Sequence, residues 1–80
     1  MNPTVKLAQA LPNHKLKVQF SNDELKEFDV TPYLEKGIIS ELKNENYFKQ
    51  DRVAFGPVEW PNEQDFSKDT LYLLGHTTST

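Results

Sequence analysis

The chain of 80 residues contains no cysteine, which excludes disulfides and thiolate metal sites together. Its two histidines, His14 and His76, stand near opposite ends and do not have the spacing of a zinc site. No apolar run approaches the roughly 20 residues that a membrane-spanning helix needs. The N-terminal segment 1–4 also lacks the basic and apolar regions of a secretory signal. The sequence therefore predicts a cytoplasmic protein with no metal and no cofactor.

Positive charge is sparse as well. The formal net charge is −3, and Arg52 is the single arginine. The only local concentration of positive charge is formed by Lys15, Lys17 and Lys6. Nucleic-acid binders usually carry a basic patch, because neutralised phosphates supply most of their affinity. The composition weighs against direct DNA or RNA binding.

The length suits one small domain. We predict a single domain over residues 1–75 and a disordered tail over residues 76–80, which hold nothing apolar to bury. A chain this short buries about 60% of the surface that its unfolded form exposes, so its stability should be only a few kcal/mol. With disulfides and metals excluded, self-association is the remaining way to add stability.

Three strands are predicted in the first part of the chain, over residues 5–11, 15–20 and 25–30. The first alternates so that Val5, Leu7 and Leu11 share one face. The second is the clearest, with lysines and Gln19 alternating against apolar residues. Short connections predict an antiparallel meander. The residues expected to point inward from the second and third strands are Leu16, Val18, Phe20, Phe28 and Val30.

The middle of the chain is predicted to be mostly irregular. Thr31 is expected to cap a helical turn that has Pro32 at its first position, and Gly37 to close it in a left-handed conformation. Residues 38–48 show no strict period. They are interpreted as a connection that places a few apolar residues in the core.

The last third is predicted to hold two short β segments, 52–55 and 58–60, around Gly56 and Pro57. Residues 61–64 are interpreted as a turn. Ser67 is expected to cap a final helix of about two turns, which ends at Gly75. The fold class is therefore α+β, with an antiparallel meander of three N-terminal strands, two short later β segments and short helices, the last one C-terminal.

The order of these motifs resembles a known family. Phe28-Asp29-Val30 is followed by Leu34-x-x-Gly37, then by Val58-x-Trp60-Pro61-Asn62-x-x-Asp65 and Asp69-x-Leu71-Tyr72. From about Val5 to Tyr72 the chain resembles the bacterial domain of unknown function 2442. The resemblance implies a compact α+β domain and brings no catalytic residues. Relatives often carry glycine where this chain has Asp23 and Glu63, both in predicted turns.

Two further features of that family bear on function. Some relatives carry an additional helix-turn-helix domain, which this chain is too short to hold. Others stand beside a second small protein in arrangements that look like toxin–antitoxin modules. The resemblance therefore implies a partner protein, whereas a DNA role inferred from the fused relatives does not transfer directly.

An acidic set surrounds Trp60 and is the nearest approach to a chemical site. It consists of Glu59, Glu63, Asp65 and Asp69. Clustered carboxylates bind hard cations or act as an acid–base pair. No calcium-loop spacing is present, and such residues also bond their own turn backbone or favour a helix start. We favour the second interpretation.

Aromatic residues supply a candidate interaction surface, because tryptophan and tyrosine dominate binding hot spots. Trp60 itself is favoured as a core residue with its indole N–H hydrogen-bonded. Tyr33 and Tyr47 are the better candidates for partial exposure. The candidate surface consists of Trp60, Asp65, Tyr72, Tyr33 and Tyr47.

No catalytic residue is predicted, so we expect the protein not to be an enzyme. His14 lies in a predicted turn with no nucleophile or orienting partner nearby in sequence, which favours an exposed turn histidine. Ser67 is a helix cap without the surrounding glycines of a nucleophile elbow. The leading hypothesis is a non-catalytic protein-interaction module that acts through a partner protein or as a homodimer. The alternative is a nucleic-acid-associated or antitoxin-like regulatory component of a two-gene module.

Overall fold

The computed structural model describes residues 2–53 and 56–77. The chain enters a meander, crosses its inner face through short helices, and returns to the meander's edge. In chain order the elements are β1 (Val5–Leu11), β2 (Lys15–Phe20), β3 (Leu25–Asp29), a 3₁₀ helix (Thr31–Tyr33), a second 3₁₀ helix (Gly37–Lys43), α1 (Glu45–Phe48), β4 (Arg52–Val53), β5 (Val58–Glu59), β6 (Asp65–Phe66), α2 (Lys68–Leu74) and β7 (His76–Thr77).

Two antiparallel sheets organise these elements. The first sheet has the strand order β1-β2-β3-β7, and the second has the order β4-β5-β6. The predicted three-stranded meander is confirmed, as is the α+β class with a C-terminal helix. Short connections between alternating apolar and polar runs dictate this arrangement, because they leave sequential strands no other neighbours to pair with.

β7 corrects the prediction of a disordered tail from residue 76. His76 pairs with Glu27 and Thr77 pairs with Lys26 on β3. A Cβ atom added to Gly75 would lie 2.5 Å from the carbonyl oxygen of Leu71 and 3.2 Å from Cβ of Lys26. Glycine therefore lets the chain leave α2 against β3, and backbone pairing holds a strand that has nothing apolar to bury. Residues 78–80 lie outside the described part.

β1 corrects the predicted inward face. Val5 pairs with Phe20, but Leu7 already pairs with Gln19, so Lys6 is an extra residue in a β-bulge. The bulge shifts the alternation by one position. Val5 faces the core, whereas Leu7 lies on the opposite face and is 59% exposed. From the bulge onward the core-facing residues of β1 are Ala8 and Ala10.

The core lies between the inner face of the first sheet and the later elements. The predicted inward residues of β2 and β3 are all buried, as expected from their alternation. Residues from both 3₁₀-helical and α-helical segments and from the second sheet complete the core. Its buried apolar members are Val5, Leu16, Val18, Phe20, Phe28, Val30, Leu34, Leu42, Phe48, Val58, Trp60, Phe66 and Leu71.

The segment after β3 is more regular than predicted. Thr31 is the first residue of a 3₁₀ helix rather than its cap, and its N–H donates to Oδ1 of Asp29 at 2.9 Å. Gly37 has φ +48°, the left-handed conformation that was predicted. The second 3₁₀ helix and α1 replace the expected irregular connection. Asn44 starts α1, because its side chain accepts from the N–H groups of the next turn.

The last third follows the prediction more closely. β4 and β5 lie on either side of Gly56 and Pro57, although residues 54 and 55 of the predicted segment lie outside the described part. β6 was not predicted. Ser67 Oγ accepts from the N–H of Thr70, and α2 ends at Gly75, as predicted. None of the helices in residues 2–53 and 56–77 is long and apolar enough to span a bilayer.

Candidate functional site

Trp60 is a core residue with its polar atom used internally. Its side chain is 2% exposed, and Nε1 donates to the carbonyl oxygen of Phe48 at 2.9 Å. The indole stacks on the Phe48 ring at 5.8 Å between centroids and meets Phe66 edge-on at 6.0 Å. The core interpretation of Trp60 is confirmed, so this side chain is not available to a partner in the folded chain.

Gln64 is fully buried at the end of the turn that follows Trp60. Its Oε1 accepts from the hydroxyl of Tyr47 at 2.7 Å. Its Nε2 donates to the carbonyl oxygen of Ile38 at 2.9 Å and to Oε1 of Glu41 at 3.0 Å. A buried amide is tolerated here because each of its polar atoms has a partner.

Asn62 extends the same network to the surface. Its backbone N–H donates to the Tyr47 hydroxyl oxygen at 2.8 Å, and its Nδ2 donates to Oε2 of Glu41 at 2.9 Å. We call Glu41, Tyr47, Asn62 and Gln64 the polar clasp. It joins the turn after β5 to the second 3₁₀ helix and to α1. In the part of the chain that the structure describes, no buried side-chain nitrogen or oxygen lacks a partner.

The acidic set around Trp60 is dispersed. Glu59 binds Arg52, with the guanidinium Nη2 2.6 Å from its Oε1. Asp69 accepts from Asn2 at 3.0 Å and lies 3.2 Å from the Lys68 ammonium; the Asn2 hydrogen bond and then Lys68 lower its pKa. Asp65 and Glu63 are exposed. Among the described residues no three such side chains come close enough to hold a metal ion.

Tyr72 fastens α2 to the meander. Its hydroxyl donates to Oε1 of Glu24 at 2.7 Å, and its ring meets Phe20 edge-on at 5.1 Å. The Lys26 ammonium lies 3.9 Å from the Tyr72 ring centroid and donates to the Tyr72 carbonyl oxygen at 2.6 Å. Hydrogen bonds from Tyr72 and then Asn22 hold the pKa of Glu24 below its usual value, and the same bond to Glu24 raises the pKa of Tyr72.

Tyr33 and His14 are half-buried structural residues. Tyr33 stacks on Phe28 with centroids 5.6 Å apart and also contacts Phe66. His14 was expected to be an exposed turn residue. Instead its Nε2 lies 3.0 Å from the carbonyl oxygen of Lys43, and its ring packs 5.3 Å from Phe48. Sequence reasoning missed this contact because the two partners of His14 are distant in sequence.

The candidate aromatic surface is therefore not one surface. Trp60 is buried, Tyr47 belongs to the polar clasp, and Tyr72 lies against β3. Tyr33 covers the core near Phe66, and only Asp65 is exposed. These side chains join the later elements of the fold to the meander.

The opposite side of the first sheet is a different kind of surface, which we call the outer face. It carries the side chains of β1, β2, β3 and β7 that point away from the core. Sequence reasoning singled out Lys15, Lys17 and Gln19 there but placed Leu7 inside, because nothing in the alternation signals the bulge. Paired residues on neighbouring strands form three rungs: Leu7, Gln19 and Leu25; then Gln9, Lys17, Glu27 and His76; then Leu11, Lys15 and Asp29.

A groove of about 420 Å³ lies across the first two rungs. Leu7 and Leu25 form its two sides, and Gln19 lies between them. Its lining residues are Leu7, Ala8, Gln9, Lys17, Gln19 and Leu25. The outer face thus combines an apolar groove with charged side chains in the neighbouring rungs.

Charges of opposite sign face each other across β2 and β3. Lys17 is paired with Glu27, and Lys15 with Asp29. Within residues 2–53 and 56–77, Lys15, Lys17 and Glu27 form no ion pair shorter than 4.0 Å. Burial raises the pKa of Asp29, but hydrogen bonds from Thr31 and then the charge of Lys15 outweigh it, so the pKa lies below its usual value.

Comparison with known proteins gives one finding. Residues 5–77 match the family described as Protein of unknown function (DUF2442), which covers nearly the whole chain. No curated protein and no solved structure matches the chain.

Proposed function

We propose a function for this chain, which belongs to the family Protein of unknown function (DUF2442): it is a small non-catalytic protein-interaction module of the cytoplasm. It acts by binding a partner protein or a second copy of itself through the outer face of the first sheet. The observation that carries the proposal is the exposure of Leu7, at 59%, beside Lys17 and Glu27, which form no ion pair within residues 2–53 and 56–77. A face with an apolar centre and polar surroundings is the usual composition of a protein interface.

Polar side chains elsewhere in the fold support this assignment, because they already form hydrogen bonds or ion pairs within the chain. Tyr47, Asn62 and Gln64 form hydrogen bonds inside the fold. The carboxylates of Glu59 and Asp69 accept hydrogen bonds from Arg52 and Asn2, respectively. General acid–base chemistry needs a group whose proton can be exchanged with a substrate, and structural bonds already hold these candidates. On the outer face, by contrast, Lys15, Lys17 and Glu27 form no ion pair within residues 2–53 and 56–77.

The nucleic-acid alternative depends on the lysines of β2. Lys15 and Lys17 are exposed and lie on one face. Glu27 and Asp29 lie directly across from them, so each of these lysines has a carboxylate beside it on the neighbouring strand. Phosphate tracks gain their affinity from unopposed positive charge, which makes the protein-interaction assignment the better one. Retention of a duplex or single strand at low salt would favour the alternative.

The proposal is tested by isolating the tagged chain from its native cells and sizing the eluted complex by light scattering. We expect a second protein, or an untagged second copy, in stoichiometric amount. The double substitution Leu7→Asp and Lys17→Glu should abolish this association. Lys49→Glu, which makes the same charge change as Lys17→Glu but at the residue after α1, should leave it intact. A tagged chain that elutes alone with a monomer's mass would contradict the proposal.

A further inference from the structure

We infer that the outer face docks a second copy of this chain, with a two-fold axis that runs parallel to the strands between β2 and β3. This inference rests on the proposed function and names the partner. Its basis is the arrangement of charge in columns. Lys15 and Lys17 follow one another along β2, and Glu27 and Asp29 run beside them on β3.

Rotation about that axis exchanges the two columns. The β2 column of one copy comes to lie over the β3 column of the other, at the same rung. Lys17 then faces Glu27 of the second copy, and Lys15 faces its Asp29. The two-fold symmetry repeats each contact, so one arrangement forms four ion pairs between the copies. The face is complementary to itself.

The other in-plane symmetry is disfavoured by the same charges. A two-fold axis that crosses the strands places each column over the equivalent column of the second copy. Lysines then meet lysines, and carboxylates meet carboxylates. Juxtaposed like charges weaken association and exclude wrong arrangements. The charge pattern therefore selects one orientation of the second copy.

The distances suit contact through these side chains. Stacked sheets lie about 10 Å apart, a gap that a lysine and a glutamate span together. Their strand directions differ by about 30° because each sheet is twisted. The middle rung, with Lys17 and Glu27, lies nearest the point where the two sheets cross, so the twist displaces its residues least. This rung provides the residues for the test.

The apolar groove adds to the contact. The rung of Leu7, Gln19 and Leu25 carries no charge. The rotation places Leu25 of each copy over Gln19 of the other, so Leu25 loses water in the dimer. A sheet this small covers less than the roughly 800 Å² per partner of a standard interface. We therefore expect a dissociation constant in the micromolar range. Association also buries additional surface, which stabilises a chain of 80 residues that buries little surface by itself.

The experiment is sedimentation equilibrium of the purified full chain from about 10 μM to 1 mM, at low and high salt. The wild type should dimerise, more weakly at high salt. Lys17→Glu and Glu27→Lys should each weaken the dimer about tenfold or more, because like charges then meet at the middle rung. An equimolar mixture of the two variants should form a heterodimer, since each face then meets the opposite charge.

Matched controls separate this face from general charge effects. Lys49→Glu and Glu63→Lys make the same charge changes just after α1 and in the turn after Trp60, and they should leave the dimer unchanged. Circular dichroism of each variant verifies that it is folded.

Three outcomes would overturn the inference: a folded wild type that is monomeric at 1 mM, a dimer that the two outer-face variants leave intact, or a mixture that stays monomeric. A monomer that still captures a stoichiometric partner from its native cells would overturn the inference alone. A chain that is monomeric in both experiments would overturn the proposed function as well.

Discussion

The polar clasp and the outer face use similar side chains in opposite ways. In the clasp, the buried Gln64 and its neighbours Tyr47, Glu41 and Asn62 bond one another and the backbone. On the outer face, Lys17 and Glu27 lie on paired strands without an ion pair between them. The most distinctive motif of the sequence, around Trp60, therefore holds the fold together, whereas an ordinary strand pattern forms the face that we propose for a partner.

Substitutions in the two regions should differ most in their effect on the stability of the chain. A buried polar group left without its partner costs roughly 1–3 kcal/mol, whereas a solvated surface charge changes stability by a few tenths. Substitutions in the clasp and around Trp60 should therefore strongly destabilise the chain. Substitutions on the outer face should change association and leave stability nearly unchanged.

Trp60→Ala should have the largest effect. It removes the packing against Phe48 and Phe66 and leaves the Phe48 carbonyl oxygen without its donor. Such truncations cost about 4 kcal/mol, which is comparable to the whole stability of so small a domain. The far-UV circular dichroism of the variant should be that of an unfolded chain at 25 °C. A folded variant would show that the core does not depend on this ring.

Gln64→Leu should be next, at about 3 kcal/mol. Leucine is similar in size but leaves the Ile38 carbonyl oxygen and the Tyr47 hydroxyl without a partner on that side. Urea denaturation followed by circular dichroism measures the change in free energy of unfolding. Gln50→Leu, the same exchange at an exposed position, should change it by less than about 0.5 kcal/mol. Equal effects would show that the clasp contributes nothing.

Glu63→Gly should stabilise the chain by about 1 kcal/mol. Glu63 has φ +72°, a left-handed conformation that strains a side chain with a Cβ atom but not glycine. Asp23, at φ +69°, is more tolerant of this conformation, so Asp23→Gly should gain less. Thermal unfolding of both variants measures the difference. A loss of stability at Glu63 would show that the entropy of the added glycine outweighs the relieved strain.

The loss of folding stability at acidic pH should depend on Tyr72. The pKa of Glu24 is lowered in the folded chain, so its ionised form adds stability above the ordinary pKa of a glutamate, and this is lost as pH falls through the folded value. Tyr72→Phe removes the largest cause of that shift. NMR titration should show the pKa of Glu24 rising toward its usual value and a flatter loss of stability in acid. Tyr33→Phe, which leaves the Glu24 bond intact, should change neither.

Leu7→Ala should have the smallest effect on stability, below about 0.5 kcal/mol, because the side chain is 59% exposed. The same exchange at Leu16, which is fully buried one strand away, should cost about 3 kcal/mol. Urea midpoints of the two variants give the contrast. A large loss at Leu7 in the monomer would show that the outer face belongs to the core.

The sequence was most informative where structure is local. Alternation in β2 predicted Leu16, Val18 and Phe20 in the core, and Ser67 and Gly75 marked both ends of α2. These signals depend on neighbours a few positions apart.

The remainder depended on contacts between distant residues. The β1 bulge is fixed by pairing with β2, and β7 by the close approach of Gly75 to Lys26. Gln64 is buried only because Tyr47, Ile38 and Glu41 surround it. The candidate aromatic surface is dispersed for the same reason. Its residues lie on different parts of the core, which no spacing in the sequence reveals.

The bulge in β1 has a consequence for aggregation. β1 is a terminal strand of the first sheet, and such strands can recruit the backbone of another chain into a growing ribbon. A regular strand cannot stay in register past Lys6, because two residues there stand against one. Lys6 would also bring its charge to the seam. A strand added along β1 would therefore have to break its pairing at the bulge, which limits the length of any ribbon that copies of the chain can build there.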